Sequence, residues 1–200
     1  MQSRTITEKD RCYPDCLKSQ SGYACPQLTV AGNLAILVAN SAPITGLFCS
    51  RKCPGNLILP AFDQISALRD AGHIVVSGFH SEMERECLNI LLRGSQPIII
   101  CPARAIENMR FPSNWQTALS GNRLLILSPF DKSQKRVTAK LADQRNNLVA
   151  ALSDKLFIIH AESGTGTFNL AVESMRAGKR IFAIKNEENK NLINAGAVPI

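Results

Sequence analysis

Three short stretches of this sequence combine hydroxyl, glycine or basic residues close behind an apolar run. They are Ser50, Arg51 and Lys52, then Ser77 and Gly78, then Ser163, Gly164, Thr165, Gly166 and Thr167. Glycine lets backbone N–H groups approach a ligand closely, and hydroxyl groups and cations supply further donors to phosphate oxygens. The spacing matches neither the G-x-G-x-x-G pattern nor Walker A. We therefore expect a phosphate site of another kind, where the three stretches meet on one rim.

Cysteines offer a competing chemistry around the first stretch. Cys49 and Cys53 lie four residues apart, and Cys12, Cys16 and Cys25 lie nearer the start of the chain. The C-x-x-C pairs of common zinc sites are absent. We expect no metal site and no cofactor, and we treat the cysteines as incidental to binding. A metal site that takes four cysteines from both groups is the alternative.

Several other side chains have two interpretations each. His80 and His160 follow apolar runs, and either assist a bound phosphate or are ordinary, partly buried imidazoles. Phe111 and Trp115 either stack on a nucleic-acid base or anchor a short helix to the core. The sequence contains no G-x-S-x-G elbow of a serine hydrolase. We expect a protein that binds its ligand without catalysing a reaction.

Strands must position these residues, and short apolar runs predict where they lie. The predicted strands are 44–49, 73–77, 97–101, 123–128, 155–160 and 180–184. Several of these runs are apolar throughout, which is typical of parallel strands covered on both faces. Ligands of such sheets bind at the carboxyl ends of the strands.

Amphipathic stretches between the strands predict helices. One begins near Leu57 and stops at Gly72, and the others cover 82–92, 112–119, 137–152, 167–177 and 189–194. Ser81 and Glu84 have the spacing of a capping box, which a helix uses without any ligand. The alternation predicts an α/β fold, namely a three-layer, Rossmann-like, doubly wound and mostly parallel sheet.

Composition indicates an ordinary globular domain. The chain has 200 residues, of which 45% are hydrophobic and 20% charged, and its net charge of +7 is compatible with a phosphate-rich partner without requiring one. No apolar run approaches the roughly 20 residues of a membrane span, and the polar start does not resemble a signal peptide. We expect a cytoplasmic protein without membrane contact.

Two segments are expected along the chain. Residues 1–33 contain three of the seven cysteines and little periodicity, so we predict an irregular lead-in with one helical turn near 13–18. Residues 34–200 are predicted to form the Rossmann-like domain.

Eight short motifs occur in the order found in the DNA-processing protein A (DprA/Smf) family, a branch of the SLOG superfamily. They are YPDCL at Tyr13, GN at Gly32, CSRKCP at Cys49, SGFH at Ser77, FPSNWQTAL at Phe111, RNNLVAALSD at Arg145, SGT at Ser163, and NKNLINAGA, whose motif asparagine is Asn189 or Asn191. The chain thus resembles this family from Tyr13 to Ala197, as a stand-alone form of its central domain.

The resemblance implies a dimer that binds single-stranded DNA along a basic face and hands the strand to a recombinase during natural transformation. It implies that Ser50 and Arg51 hold backbone phosphate. Arg145 and Asn146 would lie on the same rim, and Ser163–Thr165 would line the pocket. Such contacts carry affinity rather than sequence preference, so binding is expected to depend strongly on salt.

Departures from the family pattern keep two other functions open. Cys49 replaces the family's glycine, Asn147 replaces an arginine, and the acidic residues Glu82, Glu84 and Glu86 are expected beside the rim. A SLOG module of this kind could instead sense a small nucleotide. The chain also resembles nucleoside-monophosphate phosphoribohydrolases at Gly164–Thr167, in which case Glu173 would stand in for the catalytic glutamate.

Overall fold

The computed structural model describes residues 3–18, 25, 27–38, 42–107 and 109–200, and these contain one nine-stranded sheet. The strands are β1 (Arg4–Thr7), β2 (Gln27–Gly32), β3 (Ile44–Phe48), β4 (Ile74–Ser77), β5 (Ile98–Ile100), β6 (Leu124–Ser128), β7 (Lys155–Ile158), β8 (Arg180–Ala183) and β9 (Val198–Pro199). Their order is β1-β2-β6-β5-β4-β3-β7-β8-β9. From β6 to β9 all neighbours are parallel, and β1 and β2 extend the sheet antiparallel.

Helices cover both faces of the sheet. They are α1 (Ala35–Val38), α2 (Ile58–Asp70), α3 (Glu82–Leu92), α4 (Gln116–Ser120), α5 (Ala139–Leu152), α6 (Gly166–Arg176) and α7 (Lys190–Asn194). One buried cluster takes residues from α2, α3 and α4, and the other takes residues from α1, α5, α6 and α7. The predicted three-layer, mostly parallel α/β fold is confirmed. Within the described ranges, no helix has the length and hydropathy that crossing a membrane requires.

Successive strand residues enter opposite clusters, which explains the uninterrupted apolar runs. In β4, Val75 packs on the α2 and α3 side while Val76 packs on the α5 side, and Phe157 and Ile158 of β7 divide in the same way. Because side chains alternate across a strand, a sheet covered on both faces needs apolar residues at every position.

The predicted strands and helices of residues 44–194 are confirmed, with ends that move by up to four residues. The largest shift is at α4, because a 3₁₀ turn at Ser113–Trp115 precedes it. The prediction of an irregular segment over residues 1–33 is wrong for two stretches. β2 pairs with β6 and β1 pairs with β2, so both belong to the central sheet. β2 pairs with residues that lie about a hundred positions later, and local periodicity does not reveal such a partner. The helical turn expected near 13–18 is a 3₁₀ turn at Asp15–Leu17. The domain boundary after residue 33 stays a prediction.

The order of the strands places a switch point between β3 and β7. The chain proceeds from β3 through β4 and β5 to β6 in one direction, and then returns to β7 on the other side of β3. Crossovers on the two sides of such a point cover opposite faces, so a crevice opens at the carboxyl ends of the two strands. The loops after β3 and β7 flank this crevice.

Asn189 ties the carboxyl ends of β7 and β8 together. It is fully buried, and its Nδ2 donates hydrogen bonds to the carbonyl oxygens of Ile159 at 2.9 Å and Ile184 at 3.1 Å. Its Oδ1 lies 3.1 Å from Nδ1 of His160, which is itself buried. Of the two interpretations of His160, the structure supports the buried imidazole. Asn191 adds a hydrogen bond to the carbonyl oxygen of Ala161 at 2.8 Å, so the closing motif positions the loop after β7.

Replacing Asn189 with alanine is expected to destabilise the protein by about 2–4 kcal/mol, because two buried carbonyl groups lose their donor and a small cavity forms. Urea unfolding measures this change. Asn194→Ala, at the exposed end of α7, the helix that follows Asn189, is the matched control and should leave the unfolding midpoint unchanged. Equal midpoints for the two variants would contradict the role assigned to Asn189.

Candidate functional site

A cleft of about 590 Å³ opens at the switch point between β3 and β7. The loop after β3, the start of α3, the first turns of α5 and the start of α6 form its walls. Its lining residues are Phe48, Cys49, Ser50, Arg51, Lys52, His80, Ser81, Glu84, Val137, Thr138, Ala139, Ala142, Asp143, Arg145, Asn146, Glu162, Thr165, Gly166 and Thr167.

The cleft brings together most of the residues that the sequence singled out, though not all. Among its lining residues are Ser50, Arg51, Lys52, Arg145, Asn146, Thr165, Gly166 and Thr167. Ser77, Gly78, Ser163 and Gly164 do not line it. Ser77 is buried and its Oγ accepts a hydrogen bond from the N–H of Phe79 at 3.2 Å. Ser163 is exposed, and its Oγ accepts one from Nδ2 of Asn191 at 3.3 Å.

Ser50 is the buried polar residue of the loop after β3. Its N–H donates to the carbonyl oxygen of His160 at 2.9 Å, which joins this loop to the one after β7. Its Oγ is buried and has no hydrogen-bond partner within the described residues. Burying a hydroxyl without a partner is costly. Because Ser50 also lines the cleft, this oxygen is a candidate to form a hydrogen bond with a ligand there. Arg51 and Lys52, the next two residues, are exposed.

Two capped helix N-termini face the same cleft. The Oγ1 of Thr138 caps α5 by accepting from the N–H of Leu141 at 3.2 Å, and the Oγ1 of Thr165 caps α6 by accepting from the N–H of Phe168 at 3.3 Å. Helix N-termini carry partial positive charge and free N–H groups, and both features favour an anion. Two helix ends that favour an anion therefore line one cleft. No cluster of metal-ligating residues occurs in the part of the chain that the structure describes.

Glu84 holds the wall formed by α3 against the end of β3. Its carboxylate is buried and accepts from the N–H groups of Cys49 at 3.0 Å, His80 at 2.8 Å and Ser81 at 3.2 Å. The predicted capping box is present, since Ser81 Oγ also accepts from the N–H of Glu84. The bond to Cys49 goes beyond capping, because it joins a helix to a neighbouring strand. Glu82 and Glu86, which we expected beside the rim, do not line the cleft.

Arg145 lies across Gly78 at the floor of the cleft. Its side chain is buried, and Nη1 donates to the carbonyl oxygen of Cys101 at 3.1 Å. A Cβ added to Gly78 would lie 0.9 Å from Nη1 of Arg145. Burial lowers the pKa of this guanidinium, and the charge of Glu84 partly opposes that shift. Ser77 and Gly78 therefore shape the floor beneath Arg145 rather than line the cleft.

The loop after β3 accommodates Cys49 without backbone strain. Cys49 does not have a positive φ angle, and its side chain is buried in the hydrophobic cluster between the sheet and the helices α2 and α3. Cys53 packs against that same cluster, whereas Cys12 and Cys25 belong to the cluster on the opposite face. The two groups of cysteines are therefore separated by the sheet, and the alternative of a shared metal site is wrong.

The sequence did not reveal the part of the cleft wall at the start of α5, or two of the three carboxylates of the cleft. Val137, Thr138 and Ala139 line the cleft, together with the exposed Asp143 and Glu162. The signal that could have indicated this wall is the basic segment just before it, whose exposed cations are Lys132, Lys135, Arg136 and Lys140.

Substituting Gly78 by alanine is expected to displace the Arg145 guanidinium and leave the buried Cys101 carbonyl without this donor, at a cost of about 1–3 kcal/mol in unfolding free energy. Gly55→Ala is the control, because a Cβ there meets nothing within 4 Å. Chemical denaturation of both variants is the measurement. A Gly78→Ala protein as stable as Gly55→Ala would show that the position of Arg145 does not depend on that glycine.

Comparisons with known proteins agree with this geometry. The family model of DNA recombination-mediator protein A matches residues 4–199. A comparison with curated proteins finds no match.

Solved structures share the fold. DNA processing protein A from Streptococcus pneumoniae superposes with a TM-score of 0.81 at 21% identity, over 98% of this chain and 70% of that chain. The Helicobacter pylori protein of that name is described with a unique single-stranded DNA binding mode. It superposes with a TM-score of 0.77 at 20% identity, over 100% of this chain and 91% of that chain. A molybdenum cofactor binding protein from Rippkaea orientalis superposes with a TM-score of 0.53 at 13% identity, over 80% of this chain and 89% of that chain. Because the family model matches nearly every residue, the chain belongs to the DNA recombination-mediator protein A family.

Proposed function

We propose that this chain binds single-stranded DNA through backbone phosphates in the cleft between β3 and β7, and takes part in DNA processing, uptake or recombination without chemistry of its own. The observation that carries the proposal is the unpartnered, buried Oγ of Ser50. This hydroxyl precedes two exposed cations, and the N-termini of α5 and α6 line the same cleft. Membership of the family and the DNA binding described for the Helicobacter pylori relative support the same ligand.

The cleft contains as many carboxylates as Lys and Arg side chains. Individual hydrogen-bond donors, and not net positive charge, would therefore select the phosphate. The cleft is lined by three cations, Arg51, Lys52 and Arg145, and by three carboxylates, Glu84, Asp143 and Glu162. Additional positive charge lies outside the cleft, in the exposed cations of residues 132–140. A strand longer than one nucleotide would pass from the cleft along this basic segment. This path favours an oligonucleotide over a mononucleotide and makes binding salt-dependent.

Fluorescence anisotropy with a labelled oligothymidylate tests the proposal. The unmodified chain is expected to bind at micromolar concentration or tighter at low salt, and Arg51→Ala and Lys52→Ala should each weaken binding about tenfold and reduce the salt slope by about one. Ser50→Ala removes a hydroxyl that has no partner in the described protein, so it should weaken binding while leaving the unfolding midpoint unchanged or higher.

Arg93→Ala is the matched control for charge. Arg93 is exposed at the end of α3 away from the cleft, so its replacement removes one positive charge without touching the site. It should change affinity far less than Arg51→Ala. The proposal fails if the oligonucleotide does not bind at low salt, or if all three cation variants bind equally.

A small nucleotide is the second ligand to test, because the cleft volume of about 590 Å³ also suits a mononucleotide. Thermal stabilisation by mononucleotides but not by oligonucleotides would favour the sensor function instead. The phosphoribohydrolase alternative has less support. The position of its glutamate is occupied by the buried Leu170. Glu173 does not line the cleft but a neighbouring one, which shares Asp143, Asn146 and Gly166 with it.

We propose three further properties by resemblance to the family. They are a homodimer, a recombinase that receives the strand, and a cytoplasmic location. Sedimentation equilibrium of the free protein, followed by titration with a purified recombinase on single-stranded DNA, tests the first two.

A further inference from the structure

A small pocket lies at the opposite end of β3 and β7 from the cleft. Its lining includes Thr45 near the start of β3, Lys155 at the start of β7 and Phe182 of β8. These strands are parallel, so their amino ends lie at one edge of the sheet and the cleft lies at the other. The pocket has a volume of about 130 Å³, and no residue lines both it and the cleft.

Strand pairing arranges the side chains of the pocket in two rows. Thr45 pairs with Lys155, and Lys155 pairs with Arg180. Two residues further along the strands, Phe157 pairs with Phe182. Paired residues of parallel strands, and residues two apart in one strand, point to the same face of a sheet. Because both phenylalanines pack in the cluster on the α2 side, a polar row lies beside an aromatic row on that face.

The hydroxyl group of Thr45 is buried without a partner. Thr45 is 1% exposed, and its Oγ1 forms no hydrogen bond within the described residues. Buried polar side chains in native proteins are almost always hydrogen-bonded. An exception in the wall of a pocket therefore points to a ligand that supplies the missing partner.

Two cations follow Thr45 in the polar row. The Nζ of Lys155 lies 5.8 Å from the centroid of the Phe182 ring, and the guanidinium carbon of Arg180 lies 5.2 Å from it, so the ring helps to position both cations. Neither cation forms an ion pair with a carboxylate of the described residues. Burial and the charge of Lys155 both lower the pKa of His73, the residue before β4. Unpaired positive charge therefore stands beside the Thr45 hydroxyl, and this combination favours an anion.

The remaining wall of the pocket favours a single ring. It is mostly apolar, with Leu68 of α2 and the two phenylalanines Phe157 and Phe182. An engineered protein cavity of about 150 Å³ binds benzene, so a pocket of this size suits one six-membered ring. Apolar walls with a few placed polar groups are typical of sites for small molecules.

We propose that this pocket binds a small aromatic carboxylate. The ring packs against Leu68, Phe157 and Phe182. The Thr45 hydroxyl donates a hydrogen bond to one carboxylate oxygen, and the Lys155 ammonium group donates to the other. Arg180, which is exposed, adds a weaker, screened attraction. The proposal does not depend on the proposed function, because the two sites share no residue.

Titration of the isotope-labelled full chain with benzoate, followed by amide chemical shifts in NMR spectra, tests the site. We expect saturable shifts at Thr45, Lys155 and Phe182, with a Kd of about 1 mM or tighter for so small a ligand. Benzamide, which keeps the ring and lacks the charge, and acetate, which keeps the charge and lacks the ring, should each bind at least about tenfold more weakly. Equal binding of either compound, or benzoate shifts confined to cleft residues, overturns the proposal.

Two substitutions test the polar row. Thr45→Val keeps the shape of the side chain and removes a hydroxyl that has no partner in the described protein. It should weaken benzoate binding about fivefold and leave the unfolding midpoint unchanged or higher. Lys155→Met should weaken binding about tenfold. Lys140→Met is the control, because it removes one exposed positive charge outside the pocket. If Thr45→Val or Lys155→Met binds benzoate as tightly as Lys140→Met, the assignment of the carboxylate to this row is wrong.

Oligothymidylate binding separates the pocket from the cleft. Thr45→Val and saturating benzoate should both leave the affinity for the oligonucleotide unchanged. Competition between benzoate and the oligonucleotide would place benzoate in the cleft and overturn the proposal. If the unmodified chain binds no oligonucleotide, the proposed function fails, and the benzoate titration is judged on its own result.

Discussion

The buried carboxylate of Glu84 is the interaction on which the geometry of the cleft depends. A charge removed from water must be matched by hydrogen bonds or by an opposite charge. Here three backbone N–H groups supply that match, from Cys49 at the end of β3 and from His80 and Ser81 at the start of α3. Arg145 lies near enough to interact with it electrostatically. The end of β3 and the start of α3 are therefore held together by one side chain, and Ser50 directly follows Cys49, one of the residues that Glu84 holds.

The other side of the cleft is fixed by neutral groups. Asn189 binds the ends of β7 and β8, Asn191 binds the loop after β7, and the carbonyl of His160 receives the N–H of Ser50. The hydrogen bond from Ser50 to His160 thus continues the pairing of β3 with β7 beyond the ends of the two strands, at the switch point. Exposed Arg51 and Lys52 then project from a rigid base, which limits the entropy lost when they bind a ligand.

Patterns in the sequence predicted those parts of the fold that are determined by residues close together in the chain. The buried parallel strands, the capping box of Ser81 and Glu84, and the Ser50–Lys52 loop all depend on neighbours in the chain. The antiparallel pair β1 and β2 depends on β6, so it was missed. The roles of Gly78 and Glu84 were also missed, because each depends on a side chain or strand 35 or more residues away: Glu84 on Cys49, and Gly78 on Arg145. Residue type indicated a phosphate site, while tertiary packing decided which candidates line it.

The two outer strands of the sheet have a consequence for self-association. β1 has four residues and β9 has two, so each edge offers few unpaired backbone groups to another chain. Long, flat edges are the surfaces on which strands of separate molecules pair, and short ones discourage such pairing. We therefore expect a second copy of this protein to dock through helices or loops, and not by adding a strand to the central sheet.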